Sequence, residues 1–111
     1  MPERQPLLAD LESGREAIAL LRRNIDEINI ELLRLLEQRG ALALNIMRLK
    51  KSSGLALHDR TREAAMIAEL ATHSRGLYDE GEIAAVFHAI FEASRALAAR
   101  SFAGRYREPA S

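Results

Sequence analysis

From Ile18 onward the apolar residues recur at alternating intervals of three and four: Ile18, Leu21, Ile25, Ile28, Leu32, Leu35, then Leu42, Ile46 and Leu49. That spacing draws one stripe along a long helix that packs on other helices. The step from Leu35 to Leu42 passes through Arg39, a guanidinium where the stripe calls for a leucine. A cation in that place must either reach water or meet an anion in the interior. Lys50 follows eleven residues later. Eleven residues is close to three whole turns, so Lys50 projects from nearly the same side of the helix.

The same pattern predicts where the elements begin and end. Ser13 with Glu16 three residues later resembles a capping box, weakened by Gly14, and starts the first helix near Ser13–Glu16. Ser52-Ser53-Gly54 ends it. Roughly 37 residues at ~1.5 Å each make about 55 Å, against a radius of gyration of ~13 Å for a compact domain of this size. Much of the stripe would be bare in a monomer, and a second chain is the simplest cover. After a loop at 54–59, a second helix runs from Asp59–Thr61 to about His73 with the stripe Glu63, Ile67, Leu70. A third follows Asp79-Glu80-Gly81 and runs to about Ala99–Arg100 with the stripe Ile83, Phe87, Ile90, Ser94, Leu97. No segment has the alternation of a useful strand, so the expected class is all-α. The expected layout is a loose arm over 1–13, one helical domain over 14–100, and a tail over 101–111.

Each helix therefore carries one polar residue in its apolar stripe: Arg39, Glu63 and Ser94. Singly, each has an ordinary structural reading: an ion-pair partner, a carboxylate serving a helix dipole, a small residue accommodating packing. Together they are three buried polar groups that need partners. With Lys50 at the edge and the cluster His58-Asp59-Arg60-Thr61-Arg62-Glu63 beyond the loop, they point to a pocket for a small polar anion.

Composition narrows the classes. A chain of 111 residues suits a single domain with a modest core. Its 16 basic and 16 acidic residues cancel, which argues against broad nucleic-acid binding. It has no cysteine, hence no thiolate ligand or nucleophile. No apolar run approaches the ~20 residues of a membrane span, and Met1 to Asp10 lacks a signal-peptide core, so a cytoplasmic location is expected. His58, His73 and His88 fall on different segments, and neither a metal nor another cofactor is expected.

The run Leu21-Arg22-x-x-Ile25-Asp26-x-Ile28-x-x-x-Leu32-Leu33-x-Leu35-Leu36-x-x-Arg39, with Ile46-x-x-x-Lys50, Asp59-x-x-Arg62-Glu63 and Ser94-Arg95-Ala96-Leu97, resembles the all-helical AroQ class of chorismate mutases. The likeness extends over roughly residues 16–98. It implies an intertwined homodimer of three-helix protomers with shared active sites. In that arrangement Arg22 reaches the partner's site while Arg39 acts within its own chain, and the two clamp the substrate's carboxylates. Lys50 would bond the ether oxygen and a carboxylate. Glu63, with the Asp59 segment, would hold the ring hydroxyl, Arg62 would support that corner, and Ser94 would touch the ring carboxylate. His58 receives no role. Many members end the third-helix motif in a glutamine that donates to the ether oxygen, and this chain has Ala98 there. The donor set is then one short, unless a water, a neighbouring side chain or an activating partner enzyme completes it.

The chemistry suits the residues. Chorismate becomes prephenate by an intramolecular rearrangement, in which a C–O bond breaks as a C–C bond forms, with no nucleophile or proton relay. Two arginine forks match two carboxylates, and a lysine matches a localised oxyanion. Two other readings remain at this point. One keeps the scaffold and changes the substrate, to an isochorismate–pyruvate lyase or a mutase of 4-amino-4-deoxychorismate, whose ammonium Glu63 could meet. The other is a non-catalytic helical dimerisation module.

Overall fold

A computed structural model describes residues 8–104, with side chains from Glu12 onward. Three helices make up the described chain: α1 (Leu8–Ser52), α2 (Arg60–His73) and α3 (Glu80–Phe102). No strand occurs among the described residues. Helix α1 has 45 residues and begins earlier than the sequence signals, so Ser13 and Glu16 lie inside it rather than at its cap. The first seven residues of the expected arm and the last seven of the expected tail lie outside the described residues. The chain divides into two units, Met1–Glu37 and Gln38–Ser111.

The described part of the first unit is the amino-terminal part of α1, and every described side chain from Glu12 to Glu37 is exposed. Ile18, Leu21, Ile25, Ile28, Leu32 and Leu35 are each 50–59% exposed. Within this unit the heptad stripe is shielded only by the helix itself.

The second unit contains the core. Within α1 its buried positions are Gly40 and Leu44, with Met47 half-buried, a stripe at i, i+4, i+7. Leu42, Ile46 and Leu49, which the heptad places in the seam, are 65%, 53% and 67% exposed. The helix thus has two apolar stripes, and the longer one is not the one that meets α3. Arg39, Ala43 and Lys50 are half-buried along the border between them. From the other helices come Ile67, Phe91 and Ala98, at 8%, 3% and 4% exposure.

Side-chain contacts align the carboxyl-terminal part of α1 parallel to α3. Arg39 reaches Ser94, Arg48 reaches Ser101 at 3.3 Å, and the Lys51 ammonium stands 4.6 Å from the centroid of the Phe102 ring. The two helices approach closely at Gly40, where an added Cβ would lie 3.3 Å from Leu97 Cδ2. Gly40→Val should therefore force α1 and α3 apart and cost about 1–3 kcal/mol by overpacking. The urea midpoint reads this directly, and an unchanged midpoint would mean that the two helices have slack there.

The helix ends are set by local chemistry. Gly54, at φ 72°, closes α1. Leu55 N–H donates to the Lys50 carbonyl at 2.8 Å and Gly54 N–H to that of Lys51 at 3.3 Å, the paired bonds of a Schellman stop. Asp59 caps α2, its Oδ1 accepting from Arg62 N–H at 2.9 Å. Asp79 and Glu82 cap α3 reciprocally, at 2.8 and 3.0 Å. Asp59 and Asp79 thus each serve a helix start.

Candidate active site

Arg39 is held from two directions. Its Nη1 donates to Ser94 Oγ at 3.0 Å, and its guanidinium carbon lies 5.3 Å from the centroid of the Phe91 ring. Phe91 is nearly inaccessible, so the ring is a fixed platform for the cation. Among the described residues no carboxylate pairs with Arg39. The same is true of Lys50, half-buried three turns on, where the Schellman bond to its carbonyl fixes the base of the side chain. Two half-buried cations without an internal counter-charge leave their electrostatic demand to something outside the fold.

Glu63 differs. Its side chain is 17% exposed, and both of its oxygens have partners. Arg95 Nη1 donates to Oε2 at 2.6 Å, and His58 Nε2 lies 3.1 Å from Oε1. Arg95 Nη1 and His58 Nε2 are themselves 3.3 Å apart. The sequence pattern gives neither Arg95 nor His58 a task. A half-buried carboxylate requires a nearby cation, and Arg95, adjacent to Ser94 on the flank of the α3 stripe, is the candidate that signal offers.

The remaining residues divide. Ser94 joins Arg39 directly. Asp59 spends one oxygen on the α2 cap, and Arg62 contributes its backbone N–H to that bond while its side chain is exposed. Ala98 is buried one turn beyond Ser94. Arg22 is exposed in the first unit. A groove of about 530 Å³ along α2 and α3 is lined by Glu63 and Arg95, together with His58, Arg60 and His88, but not by Arg39, Lys50 or Ser94. The single chain therefore brings together Arg39 with Ser94, and Glu63 with Arg95 and His58, but does not enclose all of these around one cavity.

The family description "Chorismate mutase type II" matches residues 21–99. The chain belongs to that family. Two structures of chorismate mutase from Thermus thermophilus resemble this type II chain over most of its length. Form II is 39% identical with a TM-score of 0.72, covering 76% of this chain and 96% of the Thermus chain. Form I is 40% identical with a TM-score of 0.67, covering 70% and 98%. No curated protein matches the chain significantly. The shared family accounts for the three-helix order and the long α1. Among the described residues no helix is long and apolar enough to cross a membrane.

Proposed function

We propose that this chain is an isomerase that rearranges chorismate to prephenate, acting as a homodimer in the cytoplasm and feeding aromatic amino acid synthesis. The observation that carries the reading is the pair of half-buried cations, Arg39 and Lys50, left without carboxylate partners among the described residues. A dianionic substrate supplies what they lack. The exposed stripe from Ile18 to Leu35 supports the dimer, because burying one such side chain is worth about 1.5–3 kcal/mol.

Within this reading the residues have distinct tasks. Arg39, aimed by Ser94 and Phe91, takes one carboxylate in its planar fork, and the partner's Arg22 takes the other. The Ser94 hydroxyl accepts from Arg39 and retains its own O–H to donate to the ring carboxylate. Lys50 stabilises the negative charge that develops on the ether oxygen as the C–O bond breaks. Glu63 accepts from the ring hydroxyl, and the Asp59–Arg62 cap holds the start of α2 under it. Holding the dianion in its reactive conformer provides the rest. Loss of chorismate absorbance on adding purified protein tests the proposal. A folded dimer that leaves chorismate unchanged above the uncatalysed rate would overturn it in favour of a non-catalytic module.

Ala98→Gln should raise kcat/KM for chorismate. An amide there, one turn beyond Ser94, would add a donor beside Lys50 that acts as charge develops. A gain between a few-fold and ~10² is expected. The Ala98 methyl is only 4% exposed, so the longer side chain should also cost about 1–3 kcal/mol of stability. Rate and urea midpoint must be read together. A folded, dimeric variant that is no faster would mean that Ala98 is not a lost donor.

A further inference from the structure

We infer that Arg95 determines specificity for the group at ring carbon four, admitting a neutral hydroxyl and rejecting an ammonium, an inference that rests on the placement of Glu63 at the substrate's ring hydroxyl. The carboxylate of Glu63 taken alone would favour either group, and an ammonium more strongly, because a charge-assisted bond is the stronger one. The structure changes that balance. Arg95 Nη1 lies 2.6 Å from Glu63 Oε2, so the negative charge is already neutralised by a guanidinium, a group that stays ionised in proteins. The pair is not a solvated surface pair: the Glu63 side chain is 17% exposed and that of Arg95 34%. Screening by water is correspondingly reduced.

The geometry still leaves room for a hydroxyl. An ionised carboxylate offers about four lone-pair directions. Arg95 takes one on Oε2, and His58 Nε2 lies 3.1 Å from Oε1. Each oxygen keeps a further direction in which a ring hydroxyl can donate. An ammonium donating in the same direction would sit on the order of 5–8 Å from the Arg95 guanidinium, well inside the ~10 Å screening length. It would be a second cation on a carboxylate that can balance only one. His58 adds to the penalty whenever it is protonated, since its Nε2 is 3.1 Å from Oε1. Placing like charges together is a recognised means of excluding a wrong partner.

The test compares kcat/KM for chorismate and for 4-amino-4-deoxychorismate in the wild-type protein, Arg95→Met and Arg95→Lys. Wild type should prefer chorismate. Arg95→Met removes the charge while keeping much of the side-chain volume, and should lower that preference by about tenfold or more. Arg95→Lys keeps the charge and should retain the preference, even where both rates fall. The ratio between substrates separates charge from scaffolding, because a merely structural role would lower both rates together. Equal ratios in wild type and a folded Arg95→Met variant would overturn the inference, as would a loss of preference in Arg95→Lys as deep as in Arg95→Met. Should Arg95→Met fail to fold, Arg95→Gln gives the same reading with a polar side chain. A wild-type protein that turns over neither substrate would instead overturn the activity, and the two failures are distinct.

Discussion

Lys50→Ala is expected to lower kcat for chorismate by ~10²–10³ while leaving the helices and the proposed dimer intact. The magnitude is that of removing one preorganised donor from a developing oxyanion. The structural cost should be small. Among the described residues Lys50 has no ion-pair partner, and the backbone bond that closes α1 uses its carbonyl, which alanine retains. Helix propensity moves slightly in favour of the variant. A matched fall in kcat and kcat/KM would show that the lysine acts in the transition state, whereas a rise in KM alone would mark it as a simple binding group. A variant with nearly wild-type kcat would remove Lys50 from the breaking bond.

The helix order and most helix ends are legible in the sequence because each is written locally. Gly54 after two serines, Asp59 before Arg60, and the Asp79-Glu80-Gly81 run are short-range signals, and the helix ends lie at or within two residues of them. The start of α1 is less legible. The Ser13–Glu16 pattern competes with the helix formers around it, and the helix runs through to Leu8. The α2 stripe of Glu63, Ile67 and Leu70 is in place, with Ile67 buried and its companions half-buried.

The stripe on α1 is correct as a period and bare in one chain, as the length of the helix implies, while a second face meets α3. Its most regular positions, Leu42, Ile46 and Leu49, are exposed, and the less regular Gly40 and Leu44 are buried. Periodicity reports that a face is apolar; it does not report which chain covers it. The same limit applies to the site. Arg39 and Ser94 stand out separately as polar residues in apolar stripes, and they meet at 3.0 Å. The partner of Glu63 escapes the sequence pattern because Arg95 lies 32 residues away and on the flank of its stripe, where a charge is unremarkable. Pairing across helices depends on rotation about each axis, which a three-four pattern fixes only to within a residue.

The coverage of α1 leads to the other large effect. Arg22→Ala and Arg39→Ala should each be nearly inactive alone, and should regain activity when unfolded and refolded together. If one chain's Arg22 serves the partner's site while Arg39 serves its own, each heterodimer carries one intact site and one doubly damaged site. At equal mixing half of the dimers are heterodimers, so about a quarter of all sites should work, the statistical result for an isologous two-site dimer. The exposed stripe from Ile18 to Leu35 motivates the exchange: Arg22 lies among exposed apolar residues of the first unit. Refolding matters, because intertwined protomers exchange slowly if at all while folded. Both variants should fold, since Arg22 is exposed and loss of the Arg39 guanidinium leaves a Ser94 hydroxyl that other donors or water can reach. Activity is measured after heterodimers are separated by a charge tag on one variant. Purified heterodimer at about half the wild-type rate per dimer, with both parent homodimers silent, is the expected outcome. Silent heterodimers would place both arginines in the same chain's site and remove the support that the long α1 gives to shared sites.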